Sequence, residues 1–198
     1  MQISRNLIII GVLVLVAIIG YGSCKGAYNS AVSKDEGVKQ AWAQVENVYQ
    51  RRSDLIPNLV NTVKGAANFE TTTLEKVIQA RASATQMKVD ASNLTPEQIA
   101  KFQQSQDGLS SALGRLMVVS EQYPELKANQ QFLKLQDELS GTENRISVER
   151  KNFNSAVQDY NSHIRKFPTN LLVGMFGFSE KGYFTATPGS DKAPEVKF

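Results

Sequence analysis

Few side chains in this 198-residue sequence are equipped for chemistry at neutral pH. There is one histidine, His163, and one cysteine, Cys24. A nucleophilic dyad of the Ser/His or Cys/His kind would have to use His163, and Cys24 closes a long apolar run beside the expected membrane surface. One cysteine rules out a disulfide within the chain, and one Cys plus one His fall short of a structural zinc site. A di-iron bundle needs Glu-x-x-His on two helices, and that spacing does not occur. Glycine-rich phosphate loops, dinucleotide fingerprints and HExxH are also missing from the sequence. His163 lies on an apolar helical stripe, which reads as a hydrogen-bonded core histidine rather than a ligand. The sequence is therefore read as a non-enzyme with no catalytic residue, cofactor or metal.

The remaining reactive groups are charges in helical register. Arg52, in Arg51-Arg52-Ser53-Asp54, falls on an apolar seam, where a charge must be paired. Glu149 falls on the seam of a later helix. A buried pair, Arg52–Glu149 or Arg81–Glu149, is predicted, fixing register rather than doing chemistry. The doublets Arg150-Lys151 and Arg165-Lys166 read as solvated or ion-paired faces. A net charge of +3, evenly spread, gives no footprint for nucleic acid.

These charges need long helices to hold them. The spacing of Val38, Trp42, Val45, Tyr49, Arg52, Ile56, Leu59, Val63 and Ala66 alternates 4 and 3, the seam of a bundle helix. Pro57 lies inside it and predicts a kink or a junction. Thr71-Thr72-Thr73 offer caps for a second helix running to about Ala91. Thr95 and Pro96 restart a third, which stops near Tyr123-Pro124. The fourth stripe is Phe132, Leu135, Leu139, Thr142, Ile146, Glu149, Phe153, Ala156, Tyr160, His163 and Phe167, on a helix from about Asn129 to Phe167. A helix of that length cannot pack on itself, so the fold class is all-α: an antiparallel up-and-down bundle of three to four long helices.

Ahead of the bundle, Asn6 to Cys24 is a run of 19 uncharged residues, roughly 28 Å as a helix and close to the bilayer hydrocarbon thickness. Three readings fit it: a retained single-pass anchor, which is favoured; a lipoprotein signal ending Gly22-Ser23-Cys24, with Cys24 lipidated but with Tyr21 where an aliphatic is wanted; and a cleaved secretory signal. Arg5 favours an exported bundle on the periplasmic or extracellular side, whereas Lys25, Lys34 and Lys39 pull the other way. The expected domains are an anchor over 1–24, a bundle over 25–185 and a disordered tail over 186–198. For the apolar, glycine-interrupted stretch from Leu171 to Phe178 two readings stand: a strap packed back over the bundle, or an interfacial contact with membrane or partner.

The residues resemble one family along nearly the whole chain. Tyr28-Asn29, Ala41-Trp42, Arg51-Arg52-x-Asp54-Leu55-Ile56-Pro57-Asn58-Leu59-Val60, Leu74-Glu75-x-Val77, Ala80-Arg81, Tyr123-Pro124-Glu125-Leu126-Lys127, Thr142-Glu143-Asn144-Arg145-Ile146, Arg150, Asn154, Tyr160-Asn161 and Phe167-Pro168 are similar to LemA proteins. The resemblance implies a bacterial membrane-associated helical bundle with no assigned catalysis, and it marks Arg51, Asp54 and Asn58 as a family-motif surface. Cys24 departs from the usual family anchor. The expected function is a membrane-anchored scaffold or interaction protein of the bacterial envelope. It would be held by lipid through the N-terminal helix and partnered by an envelope protein or by itself. The alternatives are an adaptor or regulator of a membrane protease or quality-control complex and, remotely, a hydrolase or metal enzyme.

Overall fold

The apolar run starts a helix that does not stop where the run ends. In the computed structural model, which describes residues 5–65 and 69–186, helix α1 spans Arg5–Lys64 without interruption. The membrane-type segment and the first bundle helix are one rod of 60 residues, about 90 Å long. Residues 5–24 are exposed throughout although mostly apolar, in a helix long and apolar enough to cross a membrane. Arg51 through Asn58 then lie on the same rigid helix that leaves the apolar run.

Helix α2 (Thr71–Gln86) returns along α1, α3 (Pro96–Ser120) goes out again, and after the short α4 (Pro124–Lys127) the long α5 (Gln130–Arg165) comes back. Directions follow from contacts. Trp42 meets Phe102 and Phe153; ten residues further along α1, Arg52 meets Ser110 and Glu143. The partner positions advance along α3 and retreat along α5. The result is the expected up-and-down bundle of four main helices, and no strand occurs among the described residues. Thr95 and Pro96 start α3 as predicted, the Thr95 hydroxyl accepting from the Gln98 amide at 3.3 Å. Asn129 caps α5 through two backbone amides.

All eight described seam positions of α1 from Val38 to Val63 are buried; Ala66 lies outside the described residues. Two boundaries differ from expectation. Helix α2 ends at Gln86 rather than near Ala91: Met87 already has extended backbone, at φ −75° and ψ 98°, Asp90 then accepts from the Ser92 amide in a turn, and Val89 and Leu94 reach the core from a loop. On α5 the buried stripe leaves the predicted one after Phe153: Val157 and Ile164 are buried, whereas Ala156 and His163 are half-buried and Phe167 is exposed. A straight helix drifts about 20° per heptad against a strict seven-residue repeat, so over the three heptads from Phe132 to Phe153 the buried face moves by about 60°, more than half of the roughly 100° between neighbours, and is then shared between Tyr160 of the predicted stripe and the residues that follow each of its positions.

The stretch from Leu171 to Phe178 is mostly helix, and the strap over the bundle comes from the residues after it. Thr169–Phe176 form α6, ended by Gly177 in the left-handed region at φ 71°. Residues 178–186 then run back over the bundle with neither helix nor strand, burying Lys181 and Phe184. From residue 187 onward the expected tail lies outside the described residues.

Candidate interaction surface over a buried arginine layer

Arg52 is 2% exposed, in a layer of polar groups between two apolar cores. One core gathers Trp42, Tyr49, Phe102, Phe153 and Tyr160, and the other Ile56, Leu59, Leu109, Leu116 and Phe132. The guanidinium donates to the Ser110 hydroxyl at 2.8 Å and the Glu143 carboxylate at 2.9 Å through one nitrogen. Through the other it donates to the Gln106 side-chain oxygen at 2.7 Å and the Gln106 carbonyl at 3.3 Å. Its charge also lies 5.0 Å from the centre of the Tyr49 ring. Gln106 passes the network on to the Ala84 carbonyl of α2 at 3.3 Å. One side chain thus ties α1 to α3 and α5, and through Gln106 to α2, a layer that penalises any slip in helix register.

The expected partner of Arg52 is corrected. The carboxylate is Glu143, not Glu149. Ten residues on from Trp42 on α1 must lie opposite ten residues back from Phe153 on α5, which is Glu143. Glu149 stands six residues away, about 9 Å along the axis, half-buried and accepting from Asn152. Arg81 does not pair with Glu149 either. Its Nε donates to the Ser53 carbonyl at 2.9 Å, and Pro57 explains why. Proline has no N–H, and its ring crowds the carbonyl four residues earlier, which here is Ser53. Arg81 supplies the missing donor, and of the two expectations for Pro57, a kink or a junction, the junction does not form, since α1 continues through it.

On the opposite side of the same turns, Arg51, Asp54 and Asn58 are exposed. Their spacing of three and four puts them in one row, extended by exposed Asn47 and Asn61. Asp54 accepts from Gln50 at 2.8 Å. Arg51 has no ion pair among the described residues. It rims a shallow groove of about 310 Å³ between α1 and α5, shared with Lys134, Asp137, Glu138 and Arg145. The motif therefore splits by face: Arg52, Ser53 and Ile56 build the interior, and Arg51, Asp54 and Asn58 face solvent.

Several further polar residues were not visible as a set in the sequence. The strap is held by three side-chain amides, each gripping the backbone at two points. Asn161 donates to the Lys181 carbonyl and accepts from its amide, both at 2.9 Å. Asn154 does the same to Phe184, also at 2.9 Å on both sides. Gln103 treats Thr185 likewise, at 2.9 and 3.1 Å. Gly182 passes so close to Pro96 that a Cβ would lie 2.6 Å from its Cα. Lys181 reaches Asp35 of α1 at 3.0 Å. Burial raises the Asp35 pKa, but Lys39 and Lys181 outweigh it and hold the carboxyl below the ordinary value of 3.8. Burial pushes the Tyr160 hydroxyl the other way, up to about 12.

His163 is half-buried, its Nε2 3.2 Å from the Ala27 carbonyl and 3.4 Å from the Thr169 hydroxyl, pinning the end of α5 to α1 just past its exposed apolar segment. Cys24 is a free, exposed thiol. Among the described residues no group of three His, Cys, Asp or Glu side chains could hold a metal ion. A cleft of about 310 Å³ between α1, α2 and α3 opens on Ser53 and Gln106, its walls mixing Glu46 and Lys88 with Tyr49, Phe102 and Leu109.

The sequence profile of the LemA family matches residues 41–198. The chain belongs to the LemA family. The match begins one residue before Trp42, so it takes in the arginine layer, the exposed row and the strap, and leaves the apolar run outside. The Magnetosome protein MamQ 2 of Paramagnetospirillum magneticum is 29% identical over 93% of this chain and 74% of its own length. The Magnetosome protein MamQ of Magnetospirillum gryphiswaldense is 28% identical over 83% of this chain and 66% of its own. Protein LemA of Metamycoplasma hominis is 26% identical over 82% and 70%. None of these names is that of an enzyme. The family, the named relatives and the exposed apolar helix together fit a membrane protein.

Proposed function

We propose that this LemA-family chain is a non-catalytic, membrane-anchored scaffold that presents one face of α1 to another protein of the bacterial envelope or to a second copy of itself. The observation that supports it is the split of the motif: Arg51, Asp54 and Asn58 stand exposed in a row while the residues interleaved with them are locked by the arginine layer and by Arg81. A rigid backbone under an exposed polar row suits recognition. The anchor is read as a retained span.

The test is in-cell cross-linking from a photoreactive residue at Asn58, followed by mass spectrometry of the products, with Arg51→Glu and Asp54→Lys as surface variants. One partner at near-equal amount, lost in both variants, is the expected result, and so are cross-links between copies lost in the same way. The first makes the chain an adaptor, the second a self-assembling scaffold. Products unaffected by either variant, or none at all, overturn the assignment of this face.

A further inference from the structure

The base of the bundle carries an apolar surface that the fold leaves uncovered. Helix α6 contains no charged residue, in the sequence TNLLVGMF. It packs on the core through Thr169, which is buried, and Val173. Its outward side does not pack: Leu171 is 64% exposed and Met175 77%, with Phe167, just before the helix, at 78%. These three recur every four residues, and Phe176 is exposed beside them. An exposed Leu or Val alone is ordinary. Three large apolar side chains on one short, uncharged helix, with Phe167 just ahead of it, are a patch that asks for an apolar partner.

The position of α6 says which partner. Tyr28 of α1 packs on Phe176 at 4.8 Å and on Phe178 at 5.7 Å between ring centres. Ala27 is bonded to His163 at the end of α5. Tyr28 lies four residues past Cys24, where the uncharged run stops, about 6 Å along the helix axis. The headgroup zone of one leaflet is about 5–7 Å deep. The span therefore delivers α6 to the depth at which amphipathic helices lie in a membrane surface. The exposed cations Lys25, Arg165 and Lys166 ring the same end, Arg165 also lying 3.8 Å from Glu180; they suit anionic headgroups.

We propose that α6 is an interfacial membrane helix: Phe167, Leu171, Met175 and Phe176 are seated in the lipid surface around the exit of α1, so that the bundle stands on the bilayer at two points instead of swinging on one. A single span lets a domain rotate and tilt; a second contact beside it fixes which way the exposed row of α1 faces. The inference rests on the apolar run being a retained span.

The test uses the full chain with Cys24→Ser, reconstituted in nanodiscs of phosphatidylcholine and phosphatidylglycerol. It carries a nitroxide at one new cysteine at a time: Val14→Cys in the span, Leu171→Cys and Met175→Cys on α6, and Val118→Cys as an exposed apolar site far from the membrane. Collision with oxygen, which enters lipid, is compared with collision with a water-soluble nickel chelate. The expected oxygen-to-nickel ratio at 171 and 175 is at least about threefold that at 118, and higher still at 14. A lipid-like value at 14 with water-like values at 171 and 175 overturns the seating of α6 and leaves the span intact. A water-like value at 14 overturns the span and this inference with it. Labels at 171 and 175 that are shielded from both agents mark a protein contact and overturn it as well.

Discussion

Pro57 and Arg81 are coupled through a single carbonyl, and the coupling has a measurable size. Arg81→Met keeps the aliphatic stem but removes the Nε that donates to the Ser53 carbonyl at 2.9 Å. A hydrogen bond from a charged group contributes about 1.5–3 kcal/mol; Arg81 is half-buried, so the loss expected is nearer 1–1.5 kcal/mol. Pro57→Ala restores the backbone N–H and removes the ring that crowds the same carbonyl. Proline in a helix interior is about 3 kcal/mol less favourable than alanine. Part of that is already offset here by Arg81, so Pro57→Ala should stabilise by about 1–2 kcal/mol. In the Pro57→Ala background the Ser53 carbonyl has its helical partner, and Arg81→Met should then cost less than about 0.5 kcal/mol. The coupling energy is therefore about 1 kcal/mol, outside the roughly 0.3–0.5 kcal/mol scatter of independent sites. Urea titration of the four detergent-solubilised full-length proteins, followed by circular dichroism at the helix band, reads it as a difference in midpoint of about 0.5 M. If Arg81→Met costs the same with Pro57 in place as in the Pro57→Ala background, the arginine is not standing in for the missing donor.

Two further outcomes follow from the strap. Asn161→Ala removes both bonds to the Lys181 backbone, leaving two buried groups unpaired at a cost of about 2 kcal/mol or more. Amide exchange at Gly182 and Phe184 should speed up at least about 30-fold, while amides in the middle of α3 keep their protection; unchanged exchange at both positions would show that the strap is held by other means. Asp35 sets an acid limit. Its folded pKa lies below 3.8, so its contribution is complete above about pH 4 and is lost as pH falls through the lowered value. Asp35→Asn should flatten the fall in stability between about pH 4 and 2, as read from thermal midpoints; an equally steep fall in the variant would remove Asp35 as its source.

Much of the bundle was legible in the sequence because periodicity carries over directly into burial. The α1 seam from Val38 to Val63 needed only the 4-and-3 spacing, and the start of α3 needed only Thr95 followed by Pro96. Arg52 announced itself as a charge on an apolar seam. Its partner did not, since pairing depends on the register of α1 against α5, which no local pattern carries; one known contact, Trp42 with Phe153, would have pointed to Glu143. Arg81 was paired with a carboxylate on charge alone. A proline in mid-helix leaves a carbonyl without its donor, and that reasoning predicts a partner for Ser53 without naming it. Asn154, Asn161 and Gln103 look like ordinary polar positions on helices. Their role exists only once an extended segment from 178 to 186 lies across them, and a segment with no internal periodicity offers no signal of where it will dock.

The polar contacts resist different motions. The arginine layer resists sliding of α1 against α3 and α5, because any shift parts the guanidinium from Gln106, Ser110 and Glu143. The bond from Arg81 to Ser53 keeps α1 helical through a proline that would otherwise weaken it. The strap and Asp35 close the end nearer the apolar run. Together they make α1 a strut of fixed length. Arg51 lies 27 residues beyond Cys24 on an unbroken helix, about 40 Å along its axis. A partner that meets Arg51, Asp54 and Asn58 must reach that distance from the end of the apolar run. That favours a second copy standing on the same membrane, or an envelope protein with a domain of similar height, over a partner confined to the bilayer.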